Sequence, residues 1–217
     1  MRRLLFAGAL VVAVCVAFVG WRTVGVLSSD TFTESKAKPP EAAPLCPWRE
    51  PETDLKAFFP DATRYHGETR ILSGLRLELS ERLGRPPTGD ENALRVNRAY
   101  RNEIPLGSIL TRRVKGDYGA IELVLVTDTN RNVRGLRLQR LREPEPIASA
   151  LQDPKWLGSF VGKRAEDLWR PGKDMPDVPP EAQSSAGAVI DGVRSLLILL
   201  TAADESQTKN LAEAHHR

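Results

Sequence analysis

The chain is poor in the residues from which metal sites and disulfide scaffolds are built. Its 217 residues include two cysteines and three histidines, and no Cys/His group has the spacing of a metal ligand set. Two cysteines are also too few for a disulfide framework or an iron–sulfur cluster. The sequence therefore predicts neither a metal site nor a disulfide-rich fold.

The motifs of several enzyme classes are missing as well. There is no Gly-x-Ser-x-Gly nucleophile elbow, no His-Glu-x-x-His pair and no glycine-rich loop ending in Gly-Lys-Ser/Thr. Charge is nearly balanced, because 31 Lys and Arg against 28 Asp and Glu give a formal net charge of +3. We therefore expect no catalytic residues of those classes and no nucleic-acid partner. A hydrophobic content of 41% supports one ordinary domain with an appendage.

The N-terminus is the most informative part of the sequence. Arg2 and Arg3 precede an uncharged apolar run over residues 4–21. As a helix this run would be about 27 Å long at ~1.5 Å per residue, close to the bilayer hydrocarbon thickness of about 30 Å. No Ala-x-Ala-like cleavage site follows it, so we expect an uncleaved single-pass anchor, with a cleaved signal peptide as the alternative. The two arginines favour a cytoplasmic N-terminus and a domain on the extracytoplasmic (periplasmic) side of the cytoplasmic membrane.

Four segments are predicted along the chain. An anchor over residues 1–27 is followed by a Pro-rich linker over 28–54, which has no periodic apolar pattern. A folded domain is expected over residues 55–202 and a polar tail over 203–217.

Within the domain, sequence periodicity predicts both strands and helices. Residues 119–126, "GAIELVLV", and 133–141 flank a polar turn and predict a β-hairpin. The arginines of the second strand lack interleaved aromatic residues, which favours a solvated strand face over a nucleic-acid surface. Leucines at helical spacing after residue 71 and the apolar run 187–201 predict two helices, the second one buried. The predicted fold class is therefore α+β, with an antiparallel sheet and packed helices.

The order of these pieces resembles the FMN-binding domain of the flavin subunits in Rnf-type and sodium-pumping NADH:quinone oxidoreductase complexes. The stretches that carry the resemblance are Gly116 to Val126, Asp128 to Leu138 with "VRGLRL", Glu143, "DPKWLGSFVGK", and Gly187-Ala188 before a helix. The resemblance implies an electron-transfer component of a membrane redox system rather than a stand-alone enzyme. Its implied partners are the lipid bilayer and other subunits of a membrane redox complex.

The flavin-attachment motif of that family, Ser/Thr-Gly-Ala-Ser/Thr-x-Ser/Thr, is degenerate here. Gly187 and Ala188 match it, but Ala186 and Val189 replace two hydroxyl residues and Asp191 stands at the acceptor position. Aspartate has no hydroxyl group to receive the phosphate, so the resemblance implies non-covalent FMN at most. The implied cofactor-binding residues are Ser184, Ser185, Gly187, Ala188 and Glu143.

Two electrostatic effects with opposite signs would act on a phosphate bound at the predicted start of this helix. A helix that begins after Ser184 and Ser185 would offer N–H groups and the positive end of its dipole. Asp191, expected in the first turn of that helix, would repel a phosphate about 4 Å away by about 4 kcal/mol at an effective dielectric constant of ~20.

Three functions therefore stay open: a flavin-binding electron-transfer domain, a flavin-free relative acting as an interaction or assembly module, and an unrelated anchored domain that binds small ligands.

Overall fold

The computed structural model describes residues 51–215. The predicted anchor over 1–27 and the linker as far as residue 50 lie outside these residues. The centre of the domain is a five-stranded antiparallel sheet in the order β1-β2-β3-β4-β5. The strands are β1 Arg64–Ile71, β2 Ala93–Arg101, β3 Ile104–Lys115, β4 Ala120–Thr127 and β5 Val133–Leu141. Each strand pairs with the next along the chain, so the sheet is a meander.

Within residues 51–215, five α-helices accompany the sheet. They are α1 Pro51–Phe58, α2 Arg76–Leu83, α3 Glu145–Leu151, α4 Pro154–Gly158 and α5 Gln183–His215. The predicted α+β class, with an antiparallel sheet and packed helices, is confirmed. Helix α4 begins with an N-cap residue and a proline. Asp153 Oδ1 accepts hydrogen bonds from the N–H groups of Lys155 and Trp156, and Pro154 occupies the first helical position.

The sheet is buried on both faces at β4, which explains the continuous apolar run of that strand. On one face, which we call the α5 face, Leu123 and Leu125 join the main core against α5. On the other face, which we call the α1 face, Val124 and Val126 pack with Phe59 in a second, smaller core. The predicted hairpin of β4 and β5 is confirmed by their antiparallel register.

The helix α1 is fixed to the α1 face by packing and by charge. A Cβ atom at Gly135 would lie 2.2 Å from Phe58 Cε1, so the Phe58 ring rests on the sheet backbone there. The buried Asp54 carboxylate accepts two hydrogen bonds from Arg137, at 2.7 and 2.8 Å. The arginines of β5 were predicted to form a solvated strand face. Arg137 differs from this prediction, because it is ion-paired with Asp54. Folded structure also begins inside the predicted linker, since α1 starts at Pro51.

The last helix extends beyond the predicted run 187–201 at both ends. It begins at Gln183, directly after a 3₁₀ turn over Pro180–Ala182, and it continues to His215. The predicted polar tail over 203–217 is therefore helical as far as His215. Arg82 Nη2 lies 2.6 Å from Glu205 Oε2, and this ion pair joins the extension to α2.

Close packing of α5 on the sheet depends on one glycine. A Cβ atom at Gly192 would lie 2.5 Å from Val114 Cγ1 and 2.9 Å from Leu123 Cδ1. Among the described residues, the stretch Pro180–Ala214 is the one helix long and apolar enough to cross a membrane, but 78% of its most apolar window is buried inside the domain. We therefore interpret α5 as the core helix of the fold.

Candidate functional site

The turn between β3 and β4, residues 116–119 or "GDYG", is the structural centre of the candidate site. The Gly116 N–H group donates to Gly119 O at 2.8 Å, which closes the hairpin. A Cβ atom at Gly116 would lie 1.9 Å from Glu143 Oε1, and one at Gly119 would lie 2.7 Å from Arg142 Cβ. Glycine at both ends of the turn thus lets the segment after β5 approach the turn backbone closely.

Glu143 is held against this turn. The Tyr118 N–H group donates to both carboxylate oxygens of Glu143, at 3.3 and 3.4 Å. A predicted cofactor-binding carboxylate is therefore already occupied as an acceptor for the protein backbone.

The two serines at the start of α5 contact the same turn. The buried Ser185 Oγ accepts a hydrogen bond from the Asp117 N–H group at 3.0 Å. Ser184 Oγ donates to Asp117 Oδ1 at 2.7 Å. The Asp117 carboxylate consequently lies beside the first residues of α5, where a helix dipole favours an anion by about 0.3–1 kcal/mol. The protein thereby supplies its own negative charge at this helix start.

Gly187 and Ala188 do not form the helix start that was expected of them. They lie in the second turn of α5, half-buried, and helical N–H groups at that depth bond to the carbonyl four residues earlier. Among the described residues, no atom lies within 4 Å of a Cβ atom placed at Gly187, so the space beside this glycine is open in that part of the chain.

Asp191 was expected in the first turn of the helix, and this expectation is wrong. It is the ninth residue of α5, about 12 Å along the axis from Gln183 at ~1.5 Å per residue. Its side chain is exposed, and Asp191 is one of the acids that raise the pKa of Arg85, after the larger effect of the Glu91 hydrogen bond. The predicted repulsion between Asp191 and a phosphate at the helix start therefore does not arise at this distance.

The structure thus brings three of the predicted residues together: Ser184, Ser185 and Glu143 all bond to Asp117 or Tyr118. Asp117 joins them, and no sequence pattern pointed to it as a site residue. Its only sequence signal is an acid inside a Gly-bounded turn, which is common in hairpins and carries no functional meaning by itself.

A second charged cluster lies between the loop after α2, β3 and α5. Glu91 is fully buried and accepts bonds from both Nη atoms of Arg85 at 2.8 Å, from Arg112 at 2.6 Å and from the Thr88 N–H group at 2.8 Å. Burial alone would raise the pKa of the Glu91 carboxyl, but these bonds outweigh it and lower the pKa to about 2. Arg85 also donates to the buried Ser195 Oγ at 3.2 Å, so this serine belongs to a structural cluster.

Within residues 51–215, no group of three or more His, Cys, Asp and Glu side chains could hold a metal ion. Comparison with known proteins finds no family model and no curated protein sequence that matches the chain. The resemblance to flavin-binding domains accordingly stays a prediction.

Chemically, the site is a network whose polar groups satisfy one another. A phosphate placed at the start of α5 would lie close to the Asp117 carboxylate. Two like charges about 4 Å apart repel by about 4 kcal/mol at an effective dielectric constant of ~20, whereas the helix dipole returns about 0.3–1 kcal/mol. Phosphate binding therefore requires Asp117 to move away and to give up its bonds to the two serines.

Proposed function

We propose that the chain is a membrane-anchored, extracytoplasmic interaction module with a flavin-domain-like scaffold and no resident flavin. The observation that supports this proposal is the Asp117 carboxylate, which accepts a hydrogen bond from Ser184 at the start of α5, where the helix dipole would otherwise favour a phosphate. Anchoring is supported by Arg2, Arg3 and the uncharged run over residues 4–21.

Non-covalent FMN binding is the second candidate, and a different observation favours it. Two of the stretches that carry the resemblance, the turn over 116–119 and Glu143, meet at one place in the fold, and the predicted residues Ser184 and Ser185 of α5 contact the same turn. Open space beside Gly187 adjoins this place. In this case the chain would be an electron-transfer component, and its partners would be other subunits of a membrane redox complex.

Titration with FMN separates the two candidates. The full-length chain, purified in detergent, is added to FMN, and quenching of flavin fluorescence is followed as the protein concentration rises. We expect no saturable quenching by the wild type. Saturable binding with a micromolar Kd would contradict the flavin-free proposal and support the second candidate.

Two matched variants test whether Asp117 is the cause. Asp117→Asn removes the charge but keeps an oxygen that can accept from Ser184, so we expect FMN affinity to rise at least tenfold, or about 1.4 kcal/mol. Asp191→Asn removes the same charge from the third turn of α5 and should leave FMN affinity unchanged. Equal behaviour of the two variants would show that Asp117 does not exclude the ligand.

A further inference from the structure

The α1 face of the sheet has two chemically different ends. Helix α1 and Phe59 cover the apolar end around Val126. Toward the turn over 116–119, the register places Arg113 opposite Glu122 and Glu122 opposite Arg140. Lys115, two residues after Arg113, lies on the same face.

These cations outnumber the acid that they surround. Glu122 is fully buried, with Oε1 2.7 Å from Arg113 Nη2 and 3.9 Å from Arg140 Nη1. Lys115 and Arg142 are exposed, and neither has a carboxylate within 4.0 Å in the part of the chain that the structure describes. We call these four cations the basic end of the α1 face. On this face the four cations surround one carboxylate, while Asp117 and Glu143 in the adjoining turn are bonded to Ser184 and to the Tyr118 N–H group. Counting these two acids as well, a small excess of positive charge remains at this end of the sheet.

An exposed aromatic residue lies next to the basic end. Tyr118 is 70% exposed in the turn that connects Lys115 to β4. Its backbone is fixed, because its N–H group is bonded to Glu143. Tyrosine beside lysine and arginine is the composition of a membrane–water interface, where the ring lies at headgroup level and the cations meet anionic lipids.

We infer that the basic end of the α1 face, together with Tyr118, docks on an anionic phospholipid surface. This inference rests on the proposed function, which tethers the domain to a membrane. Helix α1 packs on the same face as the cations, so the chain enters the domain on this side of the sheet. The predicted linker is Pro-rich, and its residues 28–50 would reach at most about 70 Å at ~3.1 Å per residue. Tethering at this length keeps the domain at millimolar effective concentration, so weak electrostatic contacts are sufficient.

A lipid surface fits these residues better than a nucleic acid does. Single-stranded nucleic acids bind where several aromatic side chains stack on bases between the cations. Among the described residues, Tyr118 is the exposed aromatic residue beside the basic end, and one ring does not form such a row. Each cation near an anionic bilayer contributes about fivefold in affinity, and screening by salt weakens this contribution.

Acylation of Lys115 tests the docking directly. The full-length chain is reconstituted in vesicles of phosphatidylcholine, with or without phosphatidylglycerol, and treated with a membrane-impermeant amine-reactive ester. Mass spectrometry gives the rates for Lys115 and for Lys173, an exposed lysine in the loop after α4. We expect the Lys115 rate to fall at least fivefold in anionic vesicles and to recover in high salt. The Lys173 rate should not change.

Variants separate docking from other causes of protection. Arg142→Gln and Tyr118→Ser should each weaken the protection of Lys115, whereas Lys155→Gln, which removes an exposed charge from α4, should not. Equal Lys115 rates in neutral and anionic vesicles would overturn the inference. Protection in native membranes alone, without protection in pure lipid, would show a protein occupant and would overturn it as well.

Failure of the proposed anchor is detected separately. If carbonate washing releases the chain from the vesicles, the prediction of a membrane anchor over residues 4–21 is wrong. The released chain can still be mixed with anionic and neutral vesicles, and the Lys115 rates then decide the docking by themselves.

Discussion

At the scale of single residues, Asp117 and Glu91 show two uses of a carboxylate. Asp117 is exposed, and it bonds to Ser184 and Ser185 through its side chain and its N–H group. Glu91 is fully buried among Arg85, Arg112 and the Thr88 N–H group. Asp117 lies at the candidate site, whereas Glu91 is expected to contribute to stability. The pH dependence of unfolding should reveal the contribution of Glu91.

Glu91 should make the domain less stable in acid. Because its pKa is about 2 in the folded protein and about 4.3 in an unfolded chain, its stabilisation is present above about pH 4.3 and is lost as the pH falls towards 2. Glu91→Gln should therefore lower the free energy of unfolding by about 3 kcal/mol at pH 7. Urea unfolding followed by circular dichroism between pH 2 and pH 7 measures this difference.

The control for this experiment is Glu81→Gln, which changes an exposed glutamate of α2. It should shift the free energy of unfolding by less than about 0.5 kcal/mol. If Glu91→Gln matches this control at pH 7, or if its effect does not shrink towards pH 2, the ionic cluster does not have the stabilising role assigned to it.

At the scale of elements, two glycines of α5 differ in how closely they approach the sheet. A methyl group at Gly192 would be 2.5 Å from Val114, whereas one at Gly187 would meet open space. Gly192→Ala should therefore destabilise the domain by about 1–3 kcal/mol through overpacking. Gly187→Ala should be neutral or stabilising by up to about 1 kcal/mol, since alanine favours a helix.

Thermal unfolding of the two glycine variants provides the measurement. A Tm for Gly192→Ala equal to that of the wild type would show that α5 can move off β3 and β4 without cost. A loss of stability in Gly187→Ala would indicate that a group outside the described residues approaches that position.

Elements were predictable where a single pattern dominated the sequence. The hairpin of β4 and β5 was found because β4 is apolar at nearly every position and a polar turn follows it. The strand β1, "RYHGETRI", was missed because it is an edge strand whose side chains are mostly exposed, so its sequence carries no apolar alternation. Edge strands of this kind are defined by their pairing partner, which no local pattern reveals.

The start of α5 was misplaced for a related reason. Ser184 and Ser185 have the composition of a helix cap, but the helix had already begun after Pro180. Its C-terminal extension was missed because tertiary ion pairs such as Arg82 with Glu205 hold it to the domain rather than an apolar stripe. The candidate site was predictable through Ser184, Ser185 and Glu143, while Asp117 became visible through long-range hydrogen bonds only.

At the scale of the whole molecule, an anchor is predicted over residues 4–21, and the proposed function assigns the Asp117 carboxylate the role of excluding a flavin phosphate. The near-neutral net charge conceals a local segregation, because the basic end of the α1 face gathers four cations around one buried acid. Such a charged surface supports the proposed role in binding, because surface charge steers association with charged partners.

The flavin content of the native protein tests the central claim most directly. The full-length chain is produced in flavin-replete cells and isolated from carbonate-washed membranes. Its acid extract is assayed for FMN, and its denaturing gel is examined for flavin fluorescence. We expect a membrane-retained chain with no FMN in the extract and no fluorescent band. Stoichiometric FMN in the extract, or a fluorescent band at the position of the chain, would contradict it.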